Sequence, residues 1–269
     1  MFTRQSKNVS ARKVKYMIKK LFAKLYFQLI GRTATQSNGV KLHYLLQKDS
    51  TSRDLFVIFS AFPRAGMSST YNYVNTLKEV SGNKLFILDN FGHQKRGVYY
   101  LCEQGNFQIR DAVEELITTT AQKMKATQTT YIGSSKGGYA ALYFGFRMRA
   151  TNIISGAPQY FLSTYLQSEP ERMPTLKAML GEFTETKLHQ LDTMLKETIT
   201  ITNAPNVYLH YSNQEHTYKS HIEPLLVQLT MEKVKTEQDI KKYTSHADVR
   251  GHFPPYLLQT IAKIRGEAS

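Results

Sequence analysis

The residues best placed to do chemistry lie together in Gly133-Ser134-Ser135-Lys136-Gly137. A short β-prone run, Thr129-Thr130-Tyr131-Ile132, leads into them, and Gly138, Ala140, Ala141 and Leu142 continue as a small-residue helix pattern. Glycine-x-serine-x-glycine between a strand and a helix is a nucleophile elbow. The sharp turn forces its serine into a strained conformation and aims the Oγ out of the sheet. The flanking glycines let strand and helix backbones approach where a Cβ would not fit. Ser135 is therefore the candidate nucleophile of an esterase or an acyltransferase. A plain glycine-rich turn is the alternative, since glycine and serine also dominate ordinary loops.

A serine hydroxyl needs a base to accept its proton, and the base needs an acid to hold its tautomer. Where the serine sits on such an elbow, the chain order is serine, acid, histidine. Glu215 is the only carboxylate between the run ending at Tyr211 and the next helical pattern, and it takes the acid position. Two histidines compete for the base. His246 directly follows the last expected strand, whereas His252 lies in Gly251-His252-Phe253 against a helix start. The position favours His246, with His252 as the alternative. His216 and His221 lie too close to the acid, and His43, His93, His189 and His210 have no positional argument. A tetrahedral intermediate needs two N–H donors: the Lys136 backbone and the loop after the Leu55 strand, at Ala61 or Phe62. Pro63 cannot donate. Only the backbone of Lys136 is required, so its side chain is expected in solvent. No histidine or acidic pair has metal-ligand spacing, so neither metal nor cofactor is expected.

These groups need a scaffold. Leu55-Phe56-Val57-Ile58-Phe59 and Lys84-Leu85-Phe86-Ile87-Leu88 are apolar runs that read as buried parallel strands. Ile109, Val113, Leu116 and Ile117 give a helix before the elbow, with Asp111, Glu114 and Glu115 early in it. Thr151 to Ser155 and Asn206 to Tyr211 read as further strands, Ile240 to Ser245 as the last. Lys41 to Gln47 reads as the first strand. Helices are expected through Tyr73, Val74, Leu77 and Val80, over 222–233, and at the end through Leu257, Leu258, Ile261 and Ile264. This alternation defines a doubly wound, mostly parallel α/β sheet. Ligands bind at the carboxyl ends of its strands. The Phe62 loop, the Asn90 loop and the elbow should therefore converge, and Asn90, Tyr99 and Tyr100 are assigned to substrate binding. Residues 159–203 break the alternation with Pro170, Pro174 and Gly181 and read as a helical insertion, a lid over the site. Its apolar positions are expected to be its own packing face.

The whole chain has 269 residues, 41% hydrophobic, which suits one sizeable globular domain. A single cysteine, Cys102, excludes an intrachain disulfide and fits a reducing compartment. No apolar stretch is long enough to span a bilayer. The formal charge of +14 is concentrated at the start: residues 1–32 carry Arg4, Lys7, Arg12, Lys13, Lys15, Lys19, Lys20, Lys24 and Arg32 and no acid. Val14, Met17, Ile18, Leu21, Phe22, Leu25, Tyr26 and Leu29 add an apolar stripe at helical spacing. We expect 1–32 to be a basic amphipathic helix on an anionic membrane surface, with packing on the domain or another subunit as the alternative. The remainder, 33–269, is the α/β domain. No nucleic-acid motif is visible, so no nucleic-acid partner is expected.

The stretch from about Leu55 to Leu258 resembles an α/β-hydrolase. More narrowly, the Ser135-Lys136-Gly137-Gly138 elbow looks like that of the accessory secretion-system glycan O-acetyltransferases of Gram-positive bacteria and of hydrolase-like proteins found with capsule biosynthesis. Asp89-Asn90-Phe91-Gly92 with Gly97-Val98-Tyr99-Tyr100 also looks like their pattern, as does His246-Ala247-Asp248-Val249 followed by Phe253-Pro254. By this resemblance Ser135, Glu215 and His246 carry over as a triad. It implies acyl chemistry on surface glycans at the inner face of the membrane, by a cytoplasmic, peripherally membrane-associated protein. A lipase or thioesterase, or a catalytically silent hydrolase-fold subunit of a polysaccharide or secretion complex, are the rival readings.

Overall fold

Leu55, Val57 and Phe59 pack into one apolar cluster, and the intervening Phe56 and Ile58 into another. A strand buried on both faces needs helices above and below it. The structure, a computed structural model, describes residues 31–267 except 65 and 201–203. The basic helix expected over 1–32 thus falls almost wholly outside the described residues. Among the described residues eight strands form one sheet: β1 (Arg32–Thr35), β2 (Lys41–Gln47), β3 (Asp54–Phe59), β4 (Asn83–Leu88), β5 (Gln128–Ser134), β6 (Asn152–Gly156), β7 (Asn206–Ser212) and β8 (Thr236–Lys241). Their order is β1-β2-β4-β3-β5-β6-β7-β8. The first two strands run antiparallel; from β4 onward every neighbouring pair is parallel.

The helices are α1 (Gln108–Met124), α2 (Lys136–Arg147), α3 (Leu162–Gln167), α4 (Met173–Leu180), α5 (Glu185–Thr198), α6 (Glu223–Met231) and α7 (Val249–Ile264). Apolar residues of α1 and α2 cover the Leu55–Val57–Phe59 face, and those of α7 cover the Phe56–Ile58 face. Helices α3 to α5 form the insertion between β6 and β7. Leu176, Met179, Leu180, Leu191, Met194 and Leu195 bury themselves in the main core, so its apolar residues are packing surface.

Four expectations about elements are corrected. Arg32–Thr35 is a strand ahead of Lys41–Gln47, which reads as the first in the sequence; it pairs with β2 across a turn closed by Gln36 N–H to Val40 O at 2.9 Å. No helix forms around Tyr73 to Val80, because Tyr73 has φ 61°, although Val74 and Leu77 still point inward. The last strand ends at Lys241 rather than Ser245, because Ser212 Oγ draws Tyr243 away from the ladder, donating to its carbonyl at 2.6 Å and accepting its N–H at 3.0 Å. Helix α7 begins at Val249 and contains Pro254 and Pro255. Their missing N–H groups leave the carbonyls of Arg250 and Gly251 without helical donors, and both residues are exposed to water.

Candidate active site

Ser135 sits between β5 and α2 with φ 52° and ψ −122°, a conformation that costs about 1–3 kcal/mol in a non-glycine residue. Its N–H donates to Gly156 O at 2.8 Å, and its carbonyl accepts the Tyr139 N–H at 3.0 Å. These two bonds fix the turn between a neighbouring strand and the new helix. The glycines are sterically required: a Cβ at Gly133 would overlap the Gly137 carbonyl, and one at Gly137 would meet Phe59 O at 2.6 Å.

His246 opens a short helical turn after β8, and Glu215 lies in the loop after β7. The structure brings both to the serine. His246 Nε2 is 2.8 Å from Ser135 Oγ, and His246 Nδ1 hydrogen-bonds Glu215 Oε1. Thr217 Oγ1 donates to the same carboxylate oxygen at 2.6 Å. Burial would raise the Glu215 pKa, but the hydrogen bond and charge of His246, with Thr217, hold it below the usual value. An ionised Glu215 accepts the Nδ1 proton, which leaves Nε2 as the lone-pair nitrogen facing the serine. Ser212 Oγ also accepts the Gln214 N–H at 3.1 Å, so one hydroxyl ties the acid-bearing loop to the base-bearing loop.

The Lys136 N–H opens α2, where helical amides have no carbonyl partner. Ala61 and Phe62 both border the same cavity as Ser135 and His246. The Ala61 N–H, however, donates to Asn72 Oδ1 at 2.8 Å. That contact withdraws Ala61 and leaves Phe62 as the candidate donor from this loop. Asn72 carries no sequence signal, because its partner is a backbone amide eleven residues away.

Other expectations are corrected. The Lys136 side chain is fully buried, with Nζ 2.7 Å from Asp89 Oδ2. Burial lowers its pKa, against the opposing pull of Asp89. The Asp89 carboxylate also accepts the N–H groups of Val98 (2.9 Å) and Tyr100 (3.2 Å). At Gly97, with φ 102°, a Cβ would collide with Lys136 Nζ. This motif is thus an internal brace behind the elbow. Tyr99 and Tyr100 are accordingly in the core rather than at a substrate surface: Tyr100 OH donates to Ile87 O at 2.9 Å and accepts the Ser60 N–H at 2.6 Å. Asn90 does not border the cavity either. His252 lies inside α7, exposed and stacked on Tyr243 at 5.1 Å, and does not border the cavity. The sequence does hint at the brace: an acid directly after the apolar run Leu85-Phe86-Ile87-Leu88 needs a buried polar partner.

One neighbour of Ser135 has no sequence signal. Gln159, 1% exposed in the loop after β6, places Nε2 3.3 Å from Ser135 Oγ, and its Oε1 lies 3.5 Å from Tyr99 OH.

The cavity beside the serine measures about 480 Å³, and the insertion supplies one wall through Tyr165, Glu169, Glu171 and Arg172. Four arginines border it: Arg64, Arg96, Arg172 and Arg250. Arg172 stacks 3.9 Å over Tyr165 and pairs with Glu169 at 2.9 Å, while Arg96 stacks 4.7 Å over Phe62.

The sheet order, the helices on both faces and the elbow at the end of β5 make this an α/β-hydrolase fold. Among solved structures the chain is similar to the Capsule O-acetyltransferase of Neisseria meningitidis serogroup A, with TM-score 0.69 and 19% identity over 85% of this chain and 98% of that one. A mutant of that protein in complex with CoA matches at TM-score 0.67 and 18% identity over 84% and 98%. The Glycosylation Associate Protein complex from Streptococcus agalactiae matches at TM-score 0.73 and 18% identity, over 90% of this chain but 48% of that one. Fluorophosphonate-binding serine hydrolase F of Staphylococcus aureus matches at TM-score 0.63 and 10% identity over 85% and 96%. At such identities the likeness establishes the fold. No family model matches the chain, and no curated protein matches it in sequence.

Proposed function

We propose that this protein is a serine acyltransferase that carries an acyl group on Ser135 from a thioester donor to a glycan hydroxyl, with hydrolysis as the competing outcome. The observation that carries this reading is the hydrogen-bonded chain from Ser135 through His246 to Glu215 at the floor of an open cavity. Ser135 Oγ attacks the thioester carbonyl and gives its proton to His246 Nε2. The carbonyl oxygen becomes an oxyanion that takes hydrogen bonds from the Lys136 and Phe62 amides. The C–S bond breaks, and His246 protonates the thiolate. An acceptor hydroxyl then loses its proton to His246 and attacks the acyl carbonyl. The C–Oγ bond breaks, and Oγ recovers its proton.

The donor class is argued from charge. Four arginines line the cavity against two glutamates, Glu169 and Glu171, and with Arg172 paired to Glu169 the excess positive charge of Arg64, Arg96 and Arg250 suits a phosphate-bearing donor of the CoA type; the O-acetyltransferase of the same fold has been solved with CoA. The glycan acceptor rests on the same neighbour and on the elbow resemblance. The acid-free basic segment 1–32 supports work beside an anionic membrane, where a surface-glycan precursor would be met. Co-sedimentation with phosphatidylglycerol vesicles, lost on deleting 1–30, is the result expected of that placement.

The deciding experiment mixes the full chain with acetyl-CoA and weighs the intact protein, alongside labelling by a fluorophosphonate probe. Acetylation and labelling that both vanish in Ser135→Ala support the reading. A folded wild type that takes neither label would leave a catalytically silent binding subunit as the better description. Acetylation without transfer to any sugar hydroxyl would shift the reading to a hydrolase.

A further inference from the structure

Gln159 touches the reacting oxygen, and the mechanism above gives it no task. Its role follows from the polarity of its hydrogen bonds. Glu215 is ionised and accepts, so His246 Nδ1 donates and Nε2 accepts. Nε2 therefore takes the single proton of Ser135 Oγ. The hydroxyl has no second proton to offer, so its contact with Gln159 is favourable only if the amide donates. That orients Nε2 toward Ser135 and Oε1 toward Tyr99. Burial raises the Tyr99 pKa well above the usual phenol value, so Tyr99 keeps its proton and donates it to Oε1. Its ring is held edge-on against Tyr139 at 5.6 Å. The five side chains thus form one chain in which every bond donates in the same direction: Tyr99, Gln159, Ser135, His246, Glu215.

We infer that Gln159 is a catalytic residue that helps Ser135 Oγ leave when the acyl-enzyme is resolved. This rests on the reading that Ser135 carries the acyl group. In the acyl-enzyme, Oγ is an ester oxygen whose lone pair is shared with the carbonyl, so it is a poor acceptor. As the acceptor oxygen attacks and loses its proton to His246, the C–Oγ bond breaks and its electron pair returns to Oγ. His246 then protonates that oxygen. The Gln159 bond strengthens along this path, and only interactions that strengthen toward the transition state accelerate a step. In acylation the same bond already exists in the resting hydroxyl, so less is gained. Tyr99 acts through Gln159 and is a positioning residue.

The test is pre-steady-state turnover of p-nitrophenyl acetate by the full chain, an activated ester that needs no cognate acceptor. Removing one donor from a developing oxyanion costs ~10²–10³ in kcat; the longer contact here leads us to expect a steady-state loss of ~10–100-fold in Gln159→Met. The burst rate should fall much less, with amplitude approaching one product per chain and acyl-enzyme accumulating on the intact protein. Gln159→Glu keeps the shape but cannot donate when ionised, and should behave alike if Gln159→Met fails to fold. Tyr99→Phe should show a smaller shift in the same direction, a selectivity that loss of packing would not produce. Burst and steady state falling by the same factor, or neither changing more than ~2-fold, would overturn the inference. Undiminished turnover in Ser135→Ala would instead sink the serine reading itself.

Discussion

Two histidine–carboxylate pairs are built on the same two strands, and they have opposite fates. His210 on β7 and Asp239 on β8 are direct partners in the ladder, with Nδ1 2.7 Å from Oδ2. His246 and Glu215 sit in the loops just beyond the carboxyl ends of those strands. Chemically the pairs are equivalent: each carboxylate holds an imidazole through Nδ1. They differ in what the other nitrogen meets. His246 Nε2 faces Ser135 at the edge of a cavity, with a quarter of the side chain exposed. His210 Nε2 faces the Tyr243 hydroxyl at 3.4 Å, and the ring is fully buried among Tyr243, His252, Phe253 and Tyr256. Burial lowers the His210 pKa despite Asp239. A histidine that works must accept a proton during each cycle, and this one is walled in by rings that favour its neutral form. An oriented imidazole becomes a base only where space for a substrate and an adjacent hydroxyl are also present.

The sharpest way to break this comparison is to delete each ring. His246→Ala should lower acyl-ester turnover by at least about 10³-fold with the unfolding midpoint little changed. His210→Ala should do the reverse, losing about 2–4 kcal/mol of stability because a cavity opens and Asp239 loses its partner, while folded protein keeps its turnover. Paired urea melts and ester assays decide it. Comparable activity losses in both would erase the distinction.

The carboxylates should separate less widely. Glu215→Gln is expected to reduce turnover by ~10²–10⁴-fold by removing the charge that supports the imidazolium. Asp239→Asn, at a partly exposed pair, should cost no more than about 1 kcal/mol and leave turnover alone. If Glu215→Gln stays within a few-fold of wild type, Glu215 does not set the tautomer.

Acid should expose the buried histidines through stability. His221 is held down to about 4, chiefly by burial, and its Nδ1 accepts the Phe161 N–H at 3.3 Å. In the unfolded chain it would titrate near about 6.5. Below that pH the unfolded state binds a proton that the fold refuses, so stability falls as pH drops from about 6.5 toward 4. Between pH 7.5 and 5 this residue should account for about 2 kcal/mol, with His210 adding in the same direction. Urea melts of wild type and His221→Gln at both pH values check this; equal pH slopes would remove His221 from the account.

The smallest effect is expected from His252→Ala. This ring stacks on Tyr243 and lies against the His210 ring from the exposed start of α7, so turnover should stay within ~2-fold and stability within about 1 kcal/mol. A large activity loss would restore His252 as a candidate base.

The legible parts of the molecule share one property: their causes are local or follow from chain order. The elbow is readable because glycine spacing encodes a close backbone approach. Buried β3 and β4 are readable from continuous apolar runs, and Glu215 and His246 from their positions after particular strands. Edge strands β1 and β8 are poorly marked because their faces are polar and half exposed. The turn at Tyr73 has helical apolar spacing but not helical φ. Tyr99 and Tyr100 are prominent on a loop at the correct end of the sheet, yet the Asp89–Lys136 pair pulls that loop inward.

The sequence by itself determined a parallel α/β sheet, an elbow that presents Ser135, and the order in which acid and base must follow. Those outcomes depend on backbone sterics and on the burial of apolar faces, and a short window of residues encodes both. Only the tertiary structure decided that Lys136 is buried on Asp89, that Asn72 occupies the Ala61 amide, and that Gln159 reaches the nucleophile. Each of these depends on which polar group meets which partner after water is removed. Residues distant in sequence arrange that desolvation together, so no local pattern records it.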